Sequence, residues 1–314
     1  NYTYKHNTLL NHYIPVEEAW GYKMKDIRLG NMTLPNGETV GFRHYAGGDR
    51  TLVLVHGNLA SSKFFDELIQ KLPEGFTVYA PDLRGSGLST YNNPIDDLRD
   101  FAGDLRLFVD QLGLTTFDLL GWSMGGAVSL LFASSYGYMV ERLFLICPIP
   151  VSGYDSFALD GQGNRIQLKT SEEIKADVTK KKLVKAVETS DKEFYRKLWS
   201  SAIYNKKQPE QEIFEIHVDE TLRQRSLMDV YYAVAKYNMT DSFNGVSMGT
   251  GEISRIQVPT IIMQGEDDLL VSVEAARFTK ESIGQNAELL VWDECGHSPF
   301  VDRLDELAAC IARN

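Results

Sequence analysis

The sequence predicts an α/β fold with a mostly parallel central sheet, helices on both faces and an inserted helical cap domain. Three observations lead to this prediction. From Leu52 onward, short apolar runs typical of strands alternate with segments of helical periodicity. The strand-like runs are continuously apolar, as expected for strands buried on both faces. After Pro148, about a hundred residues show helical periodicity and no convincing strand before Val258.

The first elements of the chain are an extension and a hairpin. Residues 1–26 are expected to form an N-terminal extension, and the sequence leaves open whether it packs on the body or on a second subunit. The strand-like residues 27–29 and 40–45 flank the turn residues Pro35-Asn36-Gly37, which indicates a hairpin. Further along, residues 98–112 show a helical apolar face that stops at Gly113.

After Pro148 the sequence changes from alternating strand and helix patterns to helical patterns alone, which divides the chain into a core and a cap. The core is predicted over residues 27–148 and 250–314, and the helical cap, or lid, over residues 149–249. Sequences typical of capping boxes begin the first two cap helices. Four cap helices are predicted, at 171–189, 191–204, 210–223 and 225–237.

A candidate nucleophile lies in the motif GWSMGG at 121–126, between an apolar strand-like run and a helical stretch. A serine at such a sharp strand-to-helix turn is strained, and glycines two residues away on either side avoid clashes of a Cβ with the neighbouring backbone. The adjacent helix N-terminus offers free amide donors to a developing oxyanion. Ser123 is therefore predicted to be a nucleophile.

A serine hydroxyl needs a base, and histidine has a suitable pKa. His297 is preferred because it lies in a turn between a strand-like run, 287–292, and the final helix, and such loops present catalytic bases. Four of the remaining histidines are interpreted as surface or helix-face residues: His6, His12, His44 and His217.

The third member of a triad holds the imidazole in the correct tautomer. Asp268 is preferred because it directly follows the buried strand predicted at 258–264. Its neighbours Asp267 and Glu266 remain alternatives, as does an acidic turn that merely caps the helix beginning near Ser272. The chain order Ser, Asp, His fits a construction in which each member follows a different strand.

Five motifs together resemble those of the α/β-hydrolase family. They are LVLVHGN at 52–58, APDLRGSGLS at 80–89, GWSMGG at 121–126, GEDD at 265–268 and GH at 296–297. The resemblance implies an α/β-hydrolase fold with Ser123 as nucleophile, Asp268 as acid and His297 as base.

The resemblance also assigns the supporting groups. It implies an oxyanion hole made by the backbone N–H groups of Asn58 and Met124, and a structural role for His56. Substrate-binding residues are predicted beside the nucleophile and on the cap, at Trp122, Leu59, Trp199 and Tyr195. The expected function is hydrolysis of a carboxylic ester or lactone of a medium-sized, largely apolar small molecule through an acyl-enzyme.

Other functions of this fold remain open. A carbon–carbon bond hydrolase, a cofactor-free perhydrolase, a polyester-oligomer hydrolase, a pimeloyl-ester carboxylesterase and a fungal-toxin lactonase would all keep the serine. Epoxide hydrolases and haloalkane dehalogenases of this fold need an aspartate at the elbow, so Ser123 argues against both. The alternative that is not an enzyme is a non-catalytic ligand receptor on the same scaffold.

Composition narrows the partners. The formal net charge of −11 argues against nucleic acid or an anionic membrane surface, and no apolar run is long enough to span a membrane. Three cysteines without metal-like or disulfide-like spacing, and no visible leader, favour a reducing, cytoplasmic location. No metal cluster or nucleotide fingerprint is visible, so no cofactor is expected. A homo-oligomer through the extension or the cap remains open.

Overall fold

The computed structural model describes residues 24–314. The predicted N-terminal extension therefore lies outside the described residues, apart from 24–26. The strands of the described part, in chain order, are β1 (Arg28–Thr33), β2 (Thr39–Ala46), β3 (Arg50–Val55), β4 (Phe76–Pro81), β5 (Phe117–Trp122), β6 (Val140–Ile146), β7 (Phe157–Leu159), β8 (Arg165–Gln167), β9 (Thr260–Gly265) and β10 (Ala287–Trp292).

The helices alternate with the strands in the core and follow one another in the insert, which we define as residues 147–259 between β6 and β9. They are α1 (Asp66–Lys71), α2 (Leu98–Gln111), α3 (Met124–Tyr136), α4 (Ser171–Ala176), α5 (Val178–Glu188), α6 (Lys192–Leu198), α7 (Gln211–Thr221), α8 (Leu227–Lys236), α9 (Val273–Ile283), α10 (Pro299–Asp302) and α11 (Leu304–Arg313).

Eight strands form one sheet in the order β1-β2-β4-β3-β5-β6-β9-β10. The six strands β4, β3, β5, β6, β9 and β10 pair with one another in parallel. Strand β2 pairs antiparallel with both β1 and β4. The first two strands confirm the predicted hairpin. The parallel arrangement puts the carboxyl ends of β3, β5, β6, β9 and β10 at one edge of the sheet, where ligands of open α/β sheets bind.

The core lies on both faces of this sheet, because alternate residues of each central strand point to opposite sides. In β3, Val53 and Val55 pack in one apolar cluster and Leu52 and Leu54 in the other. Helices α2 and α3 contribute to the first cluster, and α1 and α11 to the second. This two-sided burial explains the continuously apolar strands and confirms the predicted fold class.

The insert differs from the prediction in two places. It contains a short antiparallel pair, β7 and β8, where the sequence predicts no convincing strand. Strands this short carry too little of the period-two pattern to be recognised. The single helix predicted at 171–189 is two helices, α4 and α5, because Asp177 adopts extended backbone and its side chain caps α5 by accepting from the Lys180 N–H at 2.8 Å.

Within residues 24–314, none of the helices combines the length and the apolar character that crossing a bilayer would require.

Backbone packs closely against backbone where α3 meets the ends of β3 and β5. A Cβ on Gly125 would lie 2.2 Å from the Val55 carbonyl oxygen, and a Cβ on Gly121 would lie 2.3 Å from the Gly125 carbonyl oxygen. Backbone atoms cannot move aside as a flexible side chain can. These two positions therefore need glycine for lack of space.

We expect Gly125→Ala to lower the free energy of unfolding by about 1–3 kcal/mol or more, because the added methyl overpacks rigid backbone. Gly103→Ala is the matched control, since Gly103 lies within α2 and a Cβ at this position would have no neighbouring atom within 4 Å. The control should instead stabilise the protein by about 0.5–1 kcal/mol. Denaturant titration of both variants measures the difference, and equal effects would contradict the packing argument.

Candidate active site

Ser123 occupies a strained turn between β5 and α3. Its backbone has φ 55° and ψ −120°, a conformation that residues with a side chain rarely adopt. The Ser123 N–H donates to the Ile146 carbonyl at 2.9 Å, which fixes the turn to the end of the neighbouring strand β6. The serine is half-buried and stands at the N-terminus of α3. This is the geometry of a nucleophile elbow.

Asp268 and His297 follow adjacent parallel strands, β9 and β10, so the pairing of these strands brings the two residues together. The distance between His297 Nδ1 and Asp268 Oδ2 is 2.8 Å. Both side chains are buried, with 2% and 0% of their surface exposed. The two alternatives for the acid lie elsewhere: Asp267 pairs with Lys206 at 2.9 Å, and Glu266 is exposed.

The Asp268 carboxylate is held from several sides. Its Oδ1 accepts the backbone N–H of Leu270 at 2.8 Å and of Val271 at 3.0 Å, and its Oδ2 accepts from Gln264 Nε2 at 3.0 Å. Burial alone would raise the pKa of Asp268, but the neighbouring His297 and these amides outweigh it and lower the pKa below its usual value. Asp268 is therefore a carboxylate at neutral pH.

The loop that carries His297 is also fixed. The indole N–H of Trp122 donates to the His297 carbonyl at 2.9 Å, which links the residue before Ser123 to the base loop. The Gly296 N–H donates to Asp302 Oδ2 at 2.8 Å. Because Nδ1 of His297 contacts Asp268, the ring nitrogen left for another partner is Nε2.

Ser123 and His297 border one cavity of about 290 Å³, whose walls are mostly apolar. In this structure no hydrogen bond joins the Ser123 hydroxyl to the His297 ring. Catalytic hydrogen bonds of unliganded sites are often long and tighten when substrate binds. The structure thus brings Ser123 and His297 to one cavity, and Asp268 contacts His297 without bordering the cavity itself.

The predicted oxyanion donors lie at the same cavity. Asn58 and Met124 both border it, and their N–H groups donate to no backbone acceptor among residues 24–314. The loop after Asn58 contains Leu59, at a φ of 61°. Gln224 of the insert holds this loop, since its Oε1 accepts the Leu59 N–H at 2.6 Å and its Nε2 donates to Asn58 Oδ1 at 2.8 Å.

Three of the other histidines have identified partners. His56 is buried, its Nδ1 lies 2.8 Å from the Gly57 carbonyl, and its Nε2 accepts the Leu83 N–H at 2.9 Å, as its predicted structural role requires. His44 Nδ1 lies 3.1 Å from the Val78 carbonyl. His217 is on a helix face as predicted, but it is buried against Tyr204, and burial lowers its pKa to about 3.

Of the predicted substrate-binding residues, Trp122, Leu59 and Trp199 border the cavity. Tyr195 does not, and this prediction disagrees with the structure: its ring is fully buried and its hydroxyl donates to the Leu183 carbonyl at 2.7 Å. Helical periodicity identifies the buried face of α6 but does not say whether that face meets a cavity or solid core.

Three residues at or beside the cavity were not identified from the sequence. Lys180 and Tyr154 border the cavity from the insert, and Gln224 supports the oxyanion loop. A lysine and a glutamine among many polar helix residues carry no distinguishing pattern. Only the tertiary structure reveals them.

Cys147 lies beside the Asp268–His297 pair, and one ligand atom from each of the three residues falls within 4.8 Å of the others. Burial and the nearby Asp268 raise the pKa of Cys147 well above its usual value. A metal held by these three residues would displace the His297–Asp268 hydrogen bond. We therefore do not propose a metal site here.

Comparisons with known proteins support the fold. The sequence model of the alpha/beta hydrolase fold matches residues 50–304. A soluble epoxide hydrolase of Corynebacterium sp. strain C12 is 40% identical over 124 residues, which are 38% of this chain and only 43% of that enzyme. Lipase 1 of Psychrobacter immobilis is 26% identical over 90% of this chain and 82% of its own.

Among solved structures, an esterase from Exiguobacterium antarcticum superposes with a TM-score of 0.70 at 23% identity, covering 90% of this chain and 97% of its own. That likeness shows the fold. The curated relatives support a hydrolase activity. Because the family model covers most of the chain and the fold and elbow agree with it, this protein belongs to the α/β hydrolase fold family.

Proposed function

We propose that this protein is a serine hydrolase that cleaves a carboxylic ester or lactone of a medium-sized, largely apolar small molecule. The observation that carries the proposal is the buried 2.8 Å contact between His297 and Asp268, on the cavity that Ser123 also borders. A hydroxyl, an imidazole and a carboxylate in this relation are the parts needed for acyl transfer.

In the first half of the proposed reaction, Ser123 Oγ attacks the substrate carbonyl while His297 Nε2 takes its proton. Asp268 keeps the other ring nitrogen protonated and stabilises the imidazolium that forms. The N–H groups of Asn58 and Met124 bind the oxyanion of the tetrahedral intermediate. His297 then returns the proton to the departing alkoxide, which leaves an acyl group on Ser123.

In the second half, water replaces the alcohol. His297 takes a proton from the water as it attacks the acyl-enzyme, and returns it to Ser123 Oγ as the second tetrahedral intermediate collapses to the acid and free Ser123. For a lactone the alcohol remains part of the same product. None of these steps needs a group beyond the residues named and water.

The predicted cap at 149–249 is proposed to enclose this reaction and to limit the size of the substrate. It supplies much of the cavity wall, including Trp199, Leu183, Ile203 and Val234. The apolar walls and the volume of about 290 Å³ favour an acyl group of intermediate length.

Epoxide opening is not proposed, despite the partial match to an epoxide hydrolase. The elbow residue of this chain is Ser123, and the aspartate that the family's epoxide chemistry uses is absent from that position.

We expect Ser123→Ala to lower the turnover of p-nitrophenyl butyrate by at least about 10⁴-fold, because the nucleophile is removed. Ser134→Ala is the matched control, since Ser134 lies on the same helix and its hydroxyl donates only to the Leu131 carbonyl. The control should keep its activity. Labelling with a fluorophosphonate, read by mass spectrometry, should modify wild type at Ser123 and leave Ser123→Ala unmodified. Full esterase activity in Ser123→Ala would disprove the proposal.

Asp268→Asn is expected to lower kcat by about 10⁴-fold, because an amide cannot hold the imidazole in the required tautomer or stabilise its charge. Asp267→Asn tests the neighbouring alternative. It should change kcat by less than about twofold, since its half-exposed pair with Lys206 contributes little. Steady-state kinetics on one ester measures both variants, and a larger loss in Asp267→Asn would move the acid to that residue.

Chain-length preference tests the substrate class. With p-nitrophenyl esters from acetate to decanoate, kcat/KM should rise about fourfold per methylene while the chain fills apolar surface, at about 0.8 kcal/mol each. It should fall before decanoate, when the cavity is full. A parallel panel of macrolactones and aryl lactones separates a lactonase from a carboxylesterase. Activity that is flat across all chain lengths would contradict an enclosed apolar acyl site.

A further inference from the structure

Lys180 is the only cationic side chain among the described residues that border the cavity of Ser123. It belongs to α5 of the insert, and only 14% of its side chain is exposed. Its ammonium group makes no hydrogen bond to any residue in 24–314. The nearest carboxylate, on Asp177, is 4.0 Å away, beyond hydrogen-bond distance.

The neighbouring acidic groups already have other partners. Asp177 caps α5 by accepting the backbone N–H of Lys180 at 2.8 Å. Asp155, which also borders the cavity, is exposed and accepts from Gln167 Nε2 at 2.8 Å. The Lys180 ammonium therefore has a long ion pair with Asp177 at 4.0 Å and no hydrogen-bond acceptor among residues 24–314. A ligand that supplies an acceptor at hydrogen-bond distance would add a charge-assisted hydrogen bond.

The surroundings of Lys180 suit an anionic group. Its ammonium lies 5.5 Å from the centre of the Tyr231 ring. Tyr231 and Ser156 both border the cavity, and their hydroxyls have no partner among the described residues. With Tyr154, whose hydroxyl likewise has no partner among residues 24–314, four donors border the cavity from the insert. The rest of its wall is mainly apolar, which suits a methylene chain.

We propose that Lys180 binds a carboxylate at the far end of the acyl chain, so that the preferred substrates are half-esters of aliphatic dicarboxylic acids. This inference rests on the proposed ester hydrolysis and narrows its substrate class. The reacting carbonyl lies at Ser123 while the second carboxylate pairs with the ammonium. A charge-assisted hydrogen bond of this kind forms only with an acyl chain that ends in an acceptor.

The test compares three methyl esters of equal acyl length: monomethyl adipate, methyl hexanoate and methyl 6-hydroxyhexanoate. Wild type should prefer monomethyl adipate over methyl hexanoate in kcat/KM by about 10-fold or more, which corresponds to about 1.4 kcal/mol. Lys180→Met, which keeps an unbranched side chain of similar length without the charge, should lose this preference through a higher KM for the half-ester. Its turnover of methyl hexanoate should stay within about twofold of wild type, and that activity also reports folding.

Two further variants sharpen the test. Lys182 lies on the same helix, is exposed and does not border the cavity, so the variant Lys182→Met should keep the preference of wild type. Lys180→Arg should restore part of the preference lost in Lys180→Met, because it restores the charge. A preference that survives in Lys180→Met, or that is absent from wild type, overturns the proposal. A preference for the hydroxy ester over both others also overturns it, since a neutral acceptor would then be the ligand.

Failure of the proposed hydrolysis gives a different result. In that case wild type cleaves none of the three esters, and calorimetry of adipate and hexanoate binding replaces kinetics. Tighter binding of adipate that disappears in Lys180→Met supports the carboxylate site on its own. Equal binding of the two acids overturns it.

Discussion

The arrangement of residues around the cavity of Ser123 depends on how closely α3 approaches the ends of β3 and β5. Gly121 and Gly125 leave no room for a Cβ, so the helix begins immediately after the strand and its first turn lies against the Val55 carbonyl. That contact forces Ser123 into its strained backbone conformation and lifts its side chain above the sheet edge. The same contact sets the N–H of Met124 beside the loop of Asn58. Without it, Ser123 would not share one cavity with Asn58 and Met124.

Parallel strand pairing does the rest of the positioning. Asp268 and His297 are far apart in the chain, yet they follow strands that are neighbours in register, so their loops meet. A second layer of polar contacts then fixes them. Gln264 and two backbone amides hold the carboxylate, and the Trp122 indole holds the histidine loop. Gln264 and Trp122 belong to the buried strands β9 and β5, whereas the two amides belong to the loop after β9.

The sequence predicts those parts of the structure that are determined by local sequence patterns. The elbow, the buried strands and the loops after β9 and β10 are local features, so the sequence indicates the fold, the two residues Ser123 and His297 at the cavity, and Asp268 behind His297. The break at Asp177 competes with helical periodicity on both sides and is decided by a side-chain cap. The position of Tyr195 in solid core, and of Lys180 at the cavity, depends on how helices of the insert rotate against the sheet. No local pattern encodes that rotation.

Through Gln224, the insert also holds the turn at Asn58 and Leu59. This glutamine lies outside the sheet, but its amide clamps the Asn58–Leu59 turn on both its main chain and its side chain. Thr221 adds a hydrogen bond to the Leu59 carbonyl at 2.7 Å. The insert, which lines much of the cavity, is thus joined to the turn whose Asn58 borders the same cavity. Exchanging the insert for that of a relative would therefore alter the cavity wall and this turn together, because any replacement must also rebuild the clamp.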